Sequence, residues 1–210
     1  MLAGAEWKPL VLGGQALLEV NTFSTRLSDL FFNVVHPRPE TQALEFLKVN
    51  LGSARIAGAE LNAGWGKGED IVIQGGIVIQ RSRLGTREPE FGRATLFRSP
   101  ELYGNASVLW RVTPSTRIFA GARYTGAMLV PYRGGDVAVL RSSRRFLTLD
   151  ASVSRRMTRT DGRWIELLVG GRNLTNAYQS DLDRGPRRDS DYVYGPRFPR
   201  SLHAALRFGM

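Results

Sequence analysis

The sequence predicts an all-β membrane protein, an antiparallel transmembrane β-barrel segment of about nine strands with its long loops on one side. Three observations predict it. Several short stretches alternate apolar and polar residues with period two, short turns alternate with long connections, and the tryptophans gather near the short turns. No apolar run is long enough for a membrane-spanning helix.

Taken in order, Leu2 to Lys8 reads as a first strand, shorter than the roughly 9 to 11 residues needed to cross a bilayer. Ala16 to Val35 is extended but fits either register, so its faces stay open. Ala57, Ala59, Leu61, Ala63 and Trp65 share one face against Gly58, Glu60, Asn62 and Gly64. Ile71 to Ile79 is apolar on both faces except at Gln74, and its faces stay open too. Gly104, Ala106, Val108 and Trp110 oppose Tyr103, Asn105 and Ser107, and Ile118, Ala120, Ala122 and Tyr124 oppose Arg117, Gly121 and Arg123. The clearest alternation sets Leu147, Leu149, Ala151 and Val153 against Thr148, Asp150 and Ser152. Ile165, Leu167 and Val169 then oppose Glu166, Leu168, Gly170 and Arg172, and the last strand sets Leu202, Ala204, Leu206, Phe208 and Met210 against Ser201, His203, Ala205 and Arg207.

Short breaks fall at Lys67 to Asp70, Thr113 to Thr116 and Thr158 to Arg163, with long connections near His36 to Ala43, Leu84 to Pro100, Pro131 to Arg145 and Asn176 to Arg197. A soluble sandwich packs its apolar faces on each other and has no reason to put every long loop at one end. Trp7, Trp65 and Trp110 are each expected to end a strand before a short turn and Trp164 to begin one after it, at the level where indole prefers the membrane boundary. Trp164 falls on the polar parity.

The net charge of +10 points first to nucleic acid. The arginines, among them Arg81, Arg83, Arg87, Arg93 and Arg98, are instead scattered over turns and loops, without a basic helix. Anionic lipid headgroups or solutes are the expected counterpart, and no nucleic-acid partner is expected. Catalytic and metal sites are not expected either. His36 and His203 stand apart, Cys is absent, no serine sits in a nucleophile elbow, and no cofactor is implied. Asp181, Asp183, Asp189 and Asp191 lack EF-hand spacing, and with Arg184, Arg187 and Arg188 they read as a solvated loop with internal ion pairs.

Gly171-Arg172-Asn173-Leu174-Thr175-Asn176-Ala177-Tyr178 resembles the penultimate-strand motif of TonB-dependent receptors, in which an Asn-Leu pair, here Asn173 and Leu174, leaves the strand before a loop. Tyr194-Gly195-Pro196-Arg197-Phe198-Pro199-Arg200 resembles the same family's ending, where the Gly195-Pro196-Arg197 turn re-enters the membrane. Asn50 to Glu60 and Arg98-Ser99-Pro100 are weaker echoes. The family usually ends on an aromatic residue. This chain ends Phe208-Gly209-Met210.

The resemblance implies that residues 1–210 are the C-terminal portion of a barrel of about 22 strands, with plug domain, TonB box and signal peptide absent. It implies part of an outer-membrane receptor for TonB-dependent uptake of a scarce nutrient such as a ferric siderophore, haem or cobalamin, in the cell outer membrane of a Gram-negative bacterium. The implied partners are outer-membrane lipid, the rest of the barrel and plug, the TonB complex through the missing N-terminal part, and a nutrient-metal chelate as substrate. Glu60, Asn62, Asn105, Arg123, Asp150, Glu166 and Arg172 would face the lumen and plug, and Arg184, Arg187, Arg188, Tyr192 and Tyr194 are the loop candidates for substrate contact. An open sheet leaves unpaired edges costing several kcal/mol per group in hydrocarbon, so the chain alone is not expected to transport. The alternatives are a non-transporting adhesin or porin-like barrel and, further off, a basic soluble β-domain that binds nucleic acid.

Overall fold

A computed structural model describes residues 1–37, 44–50, 52–135 and 137–209. Its strands are β1 (Leu2–Trp7), β2 (Leu10–Val11), β3 (Gly14–Leu27), β4 (Phe31–Pro37), β5 (Leu44–Asn50), β6 (Ala54–Lys67), β7 (Ile71–Leu84), β8 (Leu102–Thr113), β9 (Thr116–Thr125), β10 (Leu129–Gly134), β11 (Val137–Ser142), β12 (Phe146–Thr158), β13 (Trp164–Arg172) and β14 (Ser201–Gly209). Nine of them lie side by side in the order β1-β3-β6-β7-β8-β9-β12-β13-β14, and β2 also pairs with β3. Every pairing is antiparallel, and β1 and β14 are edges. The fold is the all-β antiparallel meander expected from the alternation.

The register settles the two stretches that period alone left open. Leu18 pairs with Ala63, Val20 with Leu61, Ala59 with Ile79 and Leu61 with Ile77, so Leu18, Val20, Ile77 and Ile79 join the apolar face. That face continues unbroken through Val108 and Ala120, then Val153, Val169 and Ala204. No second layer covers it among the described residues, and Ile79, Val169 and Leu206 are all more than half exposed. An apolar sheet face in water is disfavoured by roughly 25 cal/mol per Å2, so this one requires an apolar surrounding.

The first strand, expected from Leu2 to Lys8, runs Leu2–Trp7 and is followed by the short strand β2. Pro9 has no N–H for the ladder, so pairing lapses at Lys8 and Pro9 and resumes at Leu10, which opposes Gln15. The turn is at Leu12 and Gly13, both with positive φ (52° and 73°), the geometry that matches a two-residue hairpin to strand twist. Trp7 therefore lies opposite Leu18, some way above the turn that it was expected to precede. Trp65 and Trp110 share the apolar face, whereas Trp164 pairs with Thr158 and Gly209 on the polar one.

Two of the expected long loops are hairpins standing on the sheet. β4 and β5 pair from Phe31↔Asn50 to Pro37↔Leu44, placing His36 opposite Glu45. The segment 38–43 lies outside the described residues. β10 and β11 pair from Leu129↔Ser142 to Gly134↔Val137, within the long connection expected near Pro131 to Arg145. A two-stranded hairpin has free edges, and Pro131 is tolerated there for that reason. The long connections all leave the same end of the meander, and the core lies among them: Ala54, Leu84, Val130, Phe146 and Tyr192 are buried.

Candidate functional site: the polar face and the loop cap

The polar face is built by the same register. Glu19, Asn62, Gly76, Asn105, Arg123 and Thr148 form one cross-strand row. Asn21, Glu60, Val78 and Tyr103 form the next. Asn62 donates to Glu60 at 3.1 Å and to Glu19 at 3.3 Å, and Asn21 donates to Glu19 at 2.8 Å. Two carboxylates thus share one amide, whose two N–H groups partly offset their mutual repulsion. Small residues at Gly64, Gly66, Gly75 and Gly76 open a cavity of about 560 Å3 beside this pair, reaching from Gln15 to Asn105.

A second cavity, of about 660 Å3, lies where the polar face meets the last loop. Arg123, Asp150, Arg172 and His203 line it from the sheet, and Tyr194 and Arg197 line it from the loop. Of the residues expected to face the lumen, Arg123, Asp150 and Arg172 therefore meet in one place, and Glu60, Asn62 and Asn105 meet in the other cavity or at its edge. Glu166 joins neither. It sits near the short turn, 3.6 Å from the Arg156 guanidinium, which stacks over Trp164 at 4.1 Å.

The two family-like motifs hold the second cavity's roof. Asn173 leaves β13 with φ of 49°. Its N–H donates to Asp150, and its buried amide donates to the carbonyls of Ala177 (2.9 Å) and Phe198 (3.0 Å) while accepting from the Ala177 N–H and the Thr175 hydroxyl. Asparagine tolerates this left-handed backbone, and its side chain replaces the ladder the strand has just lost. The Leu174 N–H still reaches the Leu149 carbonyl at 2.7 Å. Gly195 packs so closely on Gln179 that a Cβ there would lie 2.8 Å from both its Cβ and its backbone N. Pro196 is half-buried and Arg197 exposed, while Phe208 stays on the apolar face, pairing with Ile165.

Above the roof, the loop end is a folded cap. Tyr192, of which 1% is exposed, stacks edge-on against Tyr132 (5.0 Å) and Tyr194 (5.4 Å), with Arg141 over Tyr132 at 3.5 Å. Asp181 accepts from both the Tyr192 and Tyr194 hydroxyls, at 2.8 and 2.5 Å. Gln179 donates to the Tyr192 carbonyl and accepts from the Tyr194 N–H. Arg133 binds Glu90 at 2.8 Å and lies over Phe91, its N–H donates to Asp189, and Arg98 donates to the carbonyls of Val193 and Asp191. Partial burial is the largest single influence and works to raise the Asp181 carboxyl, but hydrogen bonds from Tyr194, Tyr192, its own backbone and Gln179 together leave its pKa below the ordinary value. Burial and the same carboxylate push both tyrosine pKa values up.

Tyr192 is the centre of the cap, its ring facing Tyr132 and Tyr194. Among the loop carboxylates, Asp181 takes tyrosine hydroxyls, and Asp183 takes the N–H groups of Arg184 and Asp189. Arg184, Arg187 and Arg188 are exposed at the tip, and Tyr194 is half-buried. Gln179 and Arg141 shape the loop but were not candidates in the sequence, and Asp181 was read only as part of a solvated loop, because a polar stretch carries no periodicity to reveal which members turn inward.

The model of a protein family described as TonB dependent receptor-like, beta-barrel, matches residues 3–174. Among solved structures, the chain resembles the copper transporter OprC at 15% identity, covering 98% of this chain and 30% of that one, with a TM-score of 0.57. The siderophore receptor PirA from Acinetobacter baumannii is similar at 14% identity, with 98% of this chain and 31% of that one covered and a TM-score of 0.57. The FrpB iron transporter from Neisseria meningitidis is similar at 16% identity, with coverages of 98% and 30% and a TM-score of 0.57. At these identities the likeness is one of fold, and the chain spans about a third of the length of these structures. No curated protein matches the chain.

Proposed function

Because the chain belongs to the TonB-dependent receptor β-barrel family, we propose that it forms part of the wall and outer loops of an outer-membrane receptor that takes up a scarce nutrient, a metal ion chelate such as a ferric siderophore or haem, with energy delivered through TonB. The observation that carries this is the two-faced single sheet: an uncovered apolar face for lipid, and a polar face with two cavities for water and protein. The 210 residues take the place of the C-terminal part of the barrel. The Glu19–Asn62–Glu60 group and the Arg123, Asp150 and Arg172 group hold the plug by ion pairs and hydrogen bonds. Arg184, Arg187 and Arg188 at the cap's tip are the first contact for an anionic chelate.

The test is chelate uptake by cells carrying or lacking the complete receptor, with and without a protonophore. Receptor-dependent uptake that collapses when the protonophore is added is the expected result. Uptake that persists without energy marks a passive barrel and overturns the reading. Replacing Arg184, Arg187 and Arg188 together by glutamine should weaken chelate binding roughly tenfold, measured by titration of the complete receptor.

A further inference from the structure

At the loop end of β3, β6 and β7 the apolar stripe of Leu61, Ile77 and Ile79 stops at arginines. Arg26 is directly opposite Arg55, and Arg55 directly opposite Arg83, in one cross-strand row with the parity of the apolar face. Arg81 lies one step below, opposite Ala57. Like charges directly opposite in a sheet repel and destabilise it. All four are exposed, and among the described residues no carboxylate forms an ion pair or hydrogen bond with any of them; Arg55 donates only to the Ser24 hydroxyl, at 2.9 Å. Arg26, Arg55 and Arg83 line a cleft of about 410 Å3 together with Arg87, whose guanidinium donates to the Gly92 carbonyl.

Among the described residues this is a row of guanidinium groups without a carboxylate partner, set where the apolar stripe ends. We infer that Arg26, Arg55 and Arg83, flanked by Arg81 and Arg87, form a docking site for the phosphate group of a membrane lipid headgroup in the leaflet at the loop end. The apolar stripe directly below supplies the surface for that lipid's acyl chains, which a free anion would not use. Guanidinium forks bind phosphate oxygens in pairs, and three of them converging on one cleft remove the repulsion that the row would otherwise carry. The inference rests on the apolar face being the lipid-facing one.

The complete receptor, reconstituted in nanodiscs of phosphatidylcholine containing a small fraction of phosphatidic acid, tests it by native mass spectrometry of retained lipid. Arg26→Gln with Arg83→Gln should reduce phosphatidic acid retention roughly tenfold, while Arg159→Gln with Arg163→Gln, the same loss of charge at the opposite end of the sheet, should leave it unchanged. In detergent free of phospholipid the first pair should be at least as heat-stable as the parent, because it relieves repulsion; this separates lost docking from lost folding. Equal retention by both pairs overturns the site. So does saturable binding of inorganic phosphate in detergent that is lost in the first pair and is as tight as that of the lipid, because the site then takes a free anion. Failure of the parent to enter phosphatidylcholine nanodiscs at all overturns the lipid-facing reading, and this site with it.

Discussion

Asn173 shows how much one residue can organise at the point where a strand ends. Its side chain makes four hydrogen bonds within the last loop while its backbone sits in the left-handed region. Asn173→Gly keeps that backbone accessible and removes only the hydrogen bonds. It should cost about 1 to 3 kcal/mol in urea unfolding of the complete receptor in lipid vesicles, because the Ala177 and Phe198 carbonyls lose their part-buried partner; a variant as stable as the parent would show that the backbone turn alone is what matters. Asp181 and its tyrosines set a pH window. With the carboxyl pKa lowered, its contribution is full above the ordinary carboxylate range and is lost as pH falls through the lowered value. With the tyrosine pKa values raised, their contribution is full below the ordinary value of about 10 and lost as pH rises beyond it. Near-ultraviolet circular dichroism of the buried tyrosines should therefore hold steady between those limits and collapse outside them, and Asp181→Asn should abolish the acid limb. The Asn173-Leu174 motif was legible in the sequence as a strand exit. The inward turn of Tyr192 was not, since it depends on Tyr132 and Arg141 arriving from a different hairpin.

Single strands carry the two-faced character, and period two is a local property of a pleated chain, so six strand faces could be read without knowing any neighbour. The faces of β3 and β7 could not, because residues such as Leu17, Val72 and Val78 put apolar groups on the polar side; only pairing with β6 decides which side is which. The distinction has a measurable consequence. Val169→Arg, in the middle of β13 on the apolar face, should cost about 2 to 4 kcal/mol in vesicle folding assays, whereas Asn105→Arg on the polar face should cost little. Equal costs would contradict the assignment of faces. The hairpin of β10 and β11 escaped sequence reading because Pro131 and Gly134-Gly135 are turn residues, and its stability comes from packing on Tyr192 and from the Arg133 links. Removing residues 129–142 should therefore expose Tyr192 to quenchers of tyrosine fluorescence while leaving the sheet's far-ultraviolet circular dichroism largely intact.

The molecule as a whole is a sheet without a second layer, and its two edges, β1 and β14, each leave ladder groups without strand partners among the described residues. Both features set the same requirement: an apolar solvent on one face and further strands at the sides. Expressed as these 210 residues in buffer without detergent, the chain should associate or precipitate; a monodisperse monomer would contradict the membrane reading. The loop end obeys different rules from the sheet. Its buried residues are drawn from three connections far apart in sequence, and Arg98, Arg133, Arg141 and Asp181 each bridge between or within them. Tyr132 and Arg141 from one connection close on Tyr192 of another, and Arg98 of the third holds the backbone on either side of it, so the cap is expected to open as one cooperative unit. Amide hydrogen exchange should then find the backbone protons of residues 90–98, 129–135, 137–142 and 179–194 becoming labile together, at one rate; three separate rates would show three connections that move independently.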